Sequence, residues 1–165
     1  MQFKGFALVA SAFVFAACGS KGEEAPAAEA TPAPAAEAAA AAPAAAGTAA
    51  PITGTTHEIK MIGDEKGYRF EPANLTIKAG DAIKYVFVSG GPHNVAFDAA
   101  GLAPEVKAQL DANFGPAKMA ELSSNMFMNA GESITISFGN IPAGAYNYNC
   151  TPHLAMGMKG VITVQ

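Results

Sequence analysis

Between His57 and the C-terminus, apolar and polar side chains alternate in short runs broken by glycine and proline. Leu75 and Ile77 stand against Thr76 and Lys78, and Ile134, Ile136 and Phe138 against Ser133, Thr135 and Ser137. A period of two gives a strand one buried and one solvated face. The pattern predicts strands over His57 to Ile62, Leu75 to Lys78, Ala82 to Ser89, Val95 to Phe97, Ser133 to Phe138, Ala145 to Cys150 and Gly160 to Val164. Gly80-Asp81, Gly90-Gly91-Pro92 and Pro142-Ala143-Gly144 supply turns between them. About seven to eight short strands of this kind predict an all-β fold, an antiparallel β-sandwich. One stretch changes period: Val106, Leu110 and Phe114, then Met119 and Leu122, recur at helical spacing between Pro104 and Ser124. One or two short helices are expected there, Pro104 opening the first and Gly115-Pro116 separating it from the second.

The first third of the chain follows neither pattern. Lys4, an apolar or small run from Phe6 to Ala17, and then Cys18 describe a secretory signal over residues 1–17. The run is too short to span a bilayer, which takes roughly 20 apolar residues. Phe15-Ala16-Ala17-Cys18 resembles the lipobox of bacterial lipoproteins, which implies lipid on Cys18 as the first mature residue. Phe15 stands where those proteins carry an aliphatic residue, so ordinary cleavage releasing a soluble protein is the alternative. From residue 18 to 53 the chain is mostly alanine and proline and carries no aromatic side chain. Such a stretch cannot bury a core and is expected to be a semi-stiff, disordered spacer. The folded domain is then residues 54–165.

That domain carries ten acidic and eight basic side chains. The near balance argues against a nucleic-acid partner. Cysteine usage is more informative, since Cys18 and Cys150 are the only two. If Cys18 carries lipid, Cys150 has no disulfide partner, and a thiol kept in an exported protein is more often reactive or metal-bound than structural.

Around Cys150 the chain reads Cys150-Thr151-Pro152-His153-Leu154-Ala155-Met156-Gly157-Met158. A thiolate, an imidazole and a thioether this close in sequence suit copper, whose two oxidation states accept soft and borderline ligands. A trigonal site needs a second imidazole. His93, after the Gly90-Gly91-Pro92 turn, stands at the mouth of a strand, whereas His57 lies within the first strand and suits an ordinary surface role. Met119, Met126 and Met128 suit core or gap-filling positions.

From Glu58 to the C-terminus the chain resembles the cupredoxins, and among them plastocyanin. The resemblance rests on Tyr68-Arg69-Phe70-Glu71-Pro72, Leu75-Thr76-Ile77-Lys78-Ala79-Gly80-Asp81, Gly91-Pro92-His93-Asn94-Val95, and the spacing Cys150, His153, Met158. It implies a Greek-key sandwich holding one type 1 copper through His93 Nδ1, Cys150 Sγ, His153 Nδ1 and, at longer distance, Met158 Sδ. Met158 rather than Met156 matches the family's axial position, and Asn94 matches an asparagine that braces the cysteine loop. The implied activity is single-electron transfer without catalysis. Redox partners such as cytochromes or oxidases would dock near His153 and Leu154 on a monomer in the bacterial envelope, lipid-anchored at the membrane through Cys18. A copper-delivery protein is the alternative. Asn149 replaces the tyrosine that precedes the ligand cysteine in plastocyanin, and no acidic cluster is evident.

Overall fold

The computed structural model describes residues 47–165; the expected signal, Cys18 and most of the expected spacer lie outside the described residues. Ten strands form two sheets within this range. In chain order they are β1 (Thr56–Asp64), β2 (Gly67–Glu71), β3 (Asn74–Ile77), β4 (Ala82–Ser89), β5 (Ala96–Phe97), β6 (Lys118–Ala120), β7 (Ser123–Ser124), β8 (Ser133–Ser137), β9 (Gly144–Asn149) and β10 (Lys159–Val164). One sheet runs β2-β1-β4-β8 and the other β3-β10-β9-β5-β7-β6.

The sandwich is as the alternation predicts, but its sheets are mixed rather than wholly antiparallel. β1 pairs with β4, and β10 with β3, in parallel. Between the sheets lie Ile59, Met61, Ile83, Tyr85, Ile136, Phe138 and Ile162, each with no exposed surface. Fully burying an Ile or Phe side chain is worth about 1.5–3 kcal/mol, and this inward set holds the sheets together.

Three strands escape the alternation. β2 has only Phe70 buried, and it is built by pairing with β1 across the Glu65-Lys66 turn. β6 and β7 replace the second expected helix. α1 (Pro104–Asn113) opens on Pro104 as predicted, and Gly115 at φ +61 turns the chain beyond it. Leu122 is buried at φ 55, its N–H donating to Asp111 Oδ1 at 2.7 Å. Ser123 pairs with Ala96 of β5. Tertiary pairing to an open sheet edge therefore outweighs the local spacing of Met119 and Leu122, and it leaves Met119 58% exposed rather than in the core.

Packing reaches upstream of Gly54, into the expected spacer. Ala50 is buried, and its N–H donates to Asn113 Oδ1 at 2.8 Å. Gln109 donates to the Thr48 carbonyl, and the N–H groups of Thr53 and Gly54 donate to Gly80 O. Alanine and proline give no periodic signal, and it is the amides on α1 that make this stretch adhere.

At the start of β4, Asp81 accepts the N–H groups of Lys78 and Thr55 and meets His57 Nε2 at 2.9 Å. These bonds, led by that from Lys78 and followed by those from His57 and Thr55, hold the Asp81 carboxyl at about 2 against an ordinary 3.8. A carboxyl lowered on folding contributes stability that is present above its unfolded value and lost as pH falls through its folded value. Unfolding free energy is therefore expected to drop between pH 4 and about 2. Denaturant titrations over that range should show a smaller drop for Asp81→Asn, and an identical slope in both proteins would sink the assignment.

Candidate metal centre

Beyond the end of β4, the chain turns at Gly90, φ +64, and Gly91-Pro92 and reaches His93. A reciprocal pair of backbone bonds with Phe127, at 3.1 and 2.8 Å, pins His93 to the neighbouring segment. Its Nε2 lies 3.0 Å from the Ser89 carbonyl. A carbonyl only accepts, so Nε2 carries the ring proton and Nδ1 keeps its lone pair free for a metal.

Cys150 follows β9 directly. β9 and β10 pair antiparallel, with Asn149 opposite Lys159, and Cys150 N–H extends that ladder to Met158 O at 3.0 Å. The hairpin thus makes Cys150 and Met158 neighbours across the base of their loop. Inside the loop, residues Thr151–Met156 wind as two short 3-10 turns that meet at a kink at His153 (φ -113), with Pro152 in the first turn and Gly157 at φ 84 closing the second. His153 N–H donates to Cys150 O at 3.0 Å, which folds the imidazole back over the sulfur.

Cys150 Sγ lies 3.6 Å from His93 Nδ1 and 3.4 Å from His153 Nδ1. The three ligand atoms stand within 4.8 Å of one another, and all three residues are buried. At bond lengths of about 2.0 Å to nitrogen and 2.3 Å to sulfur, ligand atoms around one ion stand roughly 3.5–4 Å apart, so the pocket fits a single ion. Met158 is completely buried, whereas Met156 is 62% exposed, so the position expected for the axial thioether is the buried one.

Burial pushes the Cys150 thiol up, and N–H groups of Asn94 and His153 partly oppose it. Burial also lowers both imidazoles, with His93 adding repulsion at His153. The pocket therefore favours neutral groups until a cation replaces the thiol proton.

Asn94 is 1% exposed. Its side chain accepts from Thr151 N–H at 2.7 Å and donates to Thr151 Oγ1 and Ser123 Oγ at 3.1 Å each, tying the strand mouth to the cysteine loop. His57, on β1 opposite Ile83 near the start of β4, is paired with Asp81. Met128 is 64% exposed, against the expectation of a core role, because it follows the Phe127 bridge into a turn closed by Glu132. Two aromatic neighbours went unread in the sequence: Tyr68 stacked on His153, and Phe87 edge-on to His93. Glycines at 63 and 91, which seat these rings, were the available signal.

A two-sheet β-sandwich that gathers a buried cysteine, two histidines and a methionine at one end defines a mononuclear copper protein of the cupredoxin class. A family model described as copper binding proteins of the plastocyanin/azurin family matches residues 57–165. The chain belongs to that family. It is 38% identical over 116 residues to a plastocyanin of Nostoc punctiforme, covering 67% of this chain and 74% of that protein. It is 40% identical over 108 residues to a plastocyanin of Scenedesmus fuscus, covering 65% and 97%. Among solved structures, the oxidized plastocyanin of Dryopteris crassirhizoma superposes with a TM-score of 0.51 at 29% identity, covering 66% of this chain and 99% of that one. The protein is a blue copper electron-transfer protein with one type 1 copper.

Proposed function

We propose that this chain is an electron carrier of the bacterial envelope, holding its copper through His93 Nδ1, Cys150 Sγ, His153 Nδ1 and Met158 Sδ. The reading rests on one observation: a buried thiol flanked at 3.6 and 3.4 Å by two imidazole Nδ1 atoms. Bound copper supplies a one-electron couple between its divalent and monovalent states. The residues supply a fixed cage. Ser89 and Phe127 hold His93, the β9–β10 hairpin sets Cys150 against Met158, and Asn94 locks the loop to the strand mouth. A ligand set that cannot move adapts little between oxidation states, which favours rapid transfer.

Leu154 and Met156 on the loop, and Met128 beside the Phe127 bridge, are exposed apolar side chains. Leu154 and Met156, on the loop that carries His153, suit brief docking of redox partners such as cytochromes or oxidases near His153. The signal over residues 1–17, lipid on Cys18 and the Ala/Pro spacer complete the proposal and place the carrier on an envelope membrane. Among the described residues no helix is long and apolar enough to cross one.

Adding copper(II) to the purified protein tests the reading. An intense blue thiolate band, bleached and restored by one electron per chain, supports it; a colourless complex overturns it. The exposed thioethers of Met128 and Met156 favour a second reading, copper delivery. Met158→Ala separates the two. A carrier is expected to keep its copper with a potential displaced on the order of 60 mV, a tenfold change in relative affinity for the two states. Complete loss of copper from that variant would count against a weak axial role.

A further inference from the structure

The two imidazoles of the centre are held by different means. His93 has a hydrogen bond to the Ser89 carbonyl at 3.0 Å and an edge-on contact with Phe87, centroids 5.0 Å apart. His153 has no counterpart to that bond: among the described residues, its ring nitrogens meet only Cys150 Sγ. Its face is covered instead by Tyr68, from β2, with ring centroids 3.6 Å apart and planes 12° from parallel. Ordinary aromatic pairs stand about 4.5–7 Å apart, so the two rings overlap face to face.

Tyr68 owes this position to a glycine. Gly63 is its cross-strand partner in the β1–β2 hairpin. A Cβ at Gly63 would lie 2.7 Å from Tyr68 Cε1 and 3.0 Å from Gly90 Cα. The missing side chain gives the phenol a flat seat on the β1 backbone, next to the turn that carries His93. From that seat the ring reaches over to the cysteine loop. His153 is consequently only 5% exposed, although Leu154 beside it is 49% exposed.

We propose that Tyr68 is the positioning residue of His153, its stacked ring doing for this imidazole what the Ser89 carbonyl does for His93. The inference rests on the reading of His153 as a copper ligand. Stacking fixes the plane of the imidazole while leaving Nδ1 directed towards Cys150 Sγ. It also suits the loaded state in particular. A ligand imidazole gives up electron density to a cation, and the electron-rich face of a phenol attracts such a ring. The hold on His153 is therefore non-directional in plane and strongest when metal is bound, whereas the hold on His93 is a directed hydrogen bond present throughout.

The test compares the parent protein with Tyr68→Phe and Tyr68→Ala. In the copper-free proteins, NMR relaxation of the two ligand imidazoles reports how tightly each is held. Tyr68→Ala is expected to mobilise the His153 ring while the His93 ring stays as ordered as in the parent. In the copper-loaded proteins, release of copper(I) to a chelator is expected to quicken about threefold to tenfold, the range an aromatic pair corresponds to. Tyr68→Phe keeps the flat face and should match the parent in both measurements. An alanine variant that leaves His153 ordered and release unchanged overturns the proposal, and so does one that loosens both rings alike. Should Tyr68→Ala fail to fold, Tyr68→Leu keeps the apolar cover without the flat face and should give the same selective loosening. A parent protein that shows no blue band with copper(II) overturns the copper reading instead, and ring order in the copper-free protein then decides the role of Tyr68 by itself.

Discussion

Replacing Cys150 with serine is expected to abolish the intense visible absorption of the copper-loaded protein and to weaken copper binding by more than a hundredfold. Loss of a partner outside the ligand set already costs roughly 10–100-fold, and Cys150 stands at the centre of the set. Its sulfur is the atom that both Nδ1 nitrogens approach. A serine hydroxyl is a hard ligand that keeps its proton in a buried pocket, and it cannot supply the thiolate transition that gives the colour. The fold should survive the change. Cys150 extends the main-chain ladder through its N–H and closes the first turn of the loop through its C=O, and serine retains both groups. Visible spectroscopy and copper titration of Cys150→Ser provide the check, and a blue band surviving in this variant would falsify the assignment.

The second large effect is expected at Asn94. Asn94→Ala removes two bonds donated by the side-chain amide and leaves the Thr151 N–H, now without its 2.7 Å acceptor, at the start of the loop. Three hydrogen bonds are lost at about 1 kcal/mol each, and the Thr151 N–H, only partly buried, can turn to water, for a total of roughly 3 kcal/mol. Denaturant unfolding of the copper-free protein measures this without interference from metal binding. Asn94→Asp keeps an acceptor for Thr151 N–H and should lose less. A change below about 0.5 kcal/mol for Asn94→Ala, within the range of ordinary surface substitutions, would show that the loop is braced elsewhere.

The two sites differ in how they announce themselves in the chain. Cys150, His153 and Met158 lie in one loop, so their spacing alone brings them together once the flanking strands pair. His93 is far off in sequence, and its selection over His57 came from the turn beside it. Asn94, next to His93, was legible only through family resemblance, because a turn asparagine has an ordinary explanation as well. Tyr68 left a fainter mark still. Its stack on His153 depends on a cross-strand glycine and a loop eighty-odd residues away, neither of which local periodicity encodes.

Methionine shows the limit from the other side. Four methionines, at 119, 128, 156 and 158, are alike in chemistry, yet Met158 is fully buried and the other three are between 58% and 64% exposed. Hydropathy cannot separate them. The hairpin register does so for Met158, placing it opposite Cys150.

By itself, then, the sequence determined the class of fold, through alternation that gives each long strand one apolar face, and pointed to the metal, through a mixed soft and borderline donor set that suits copper. It determined the long strands better than the short ones, because β6 and β7 carry too few residues to show a period. Only the tertiary structure decided which strands run parallel, where the spacer begins to pack, and how each imidazole is held. Those outcomes depend on contacts between residues distant in the chain, where an open sheet edge, a glycine seat or a pair of amides outweighs local preference.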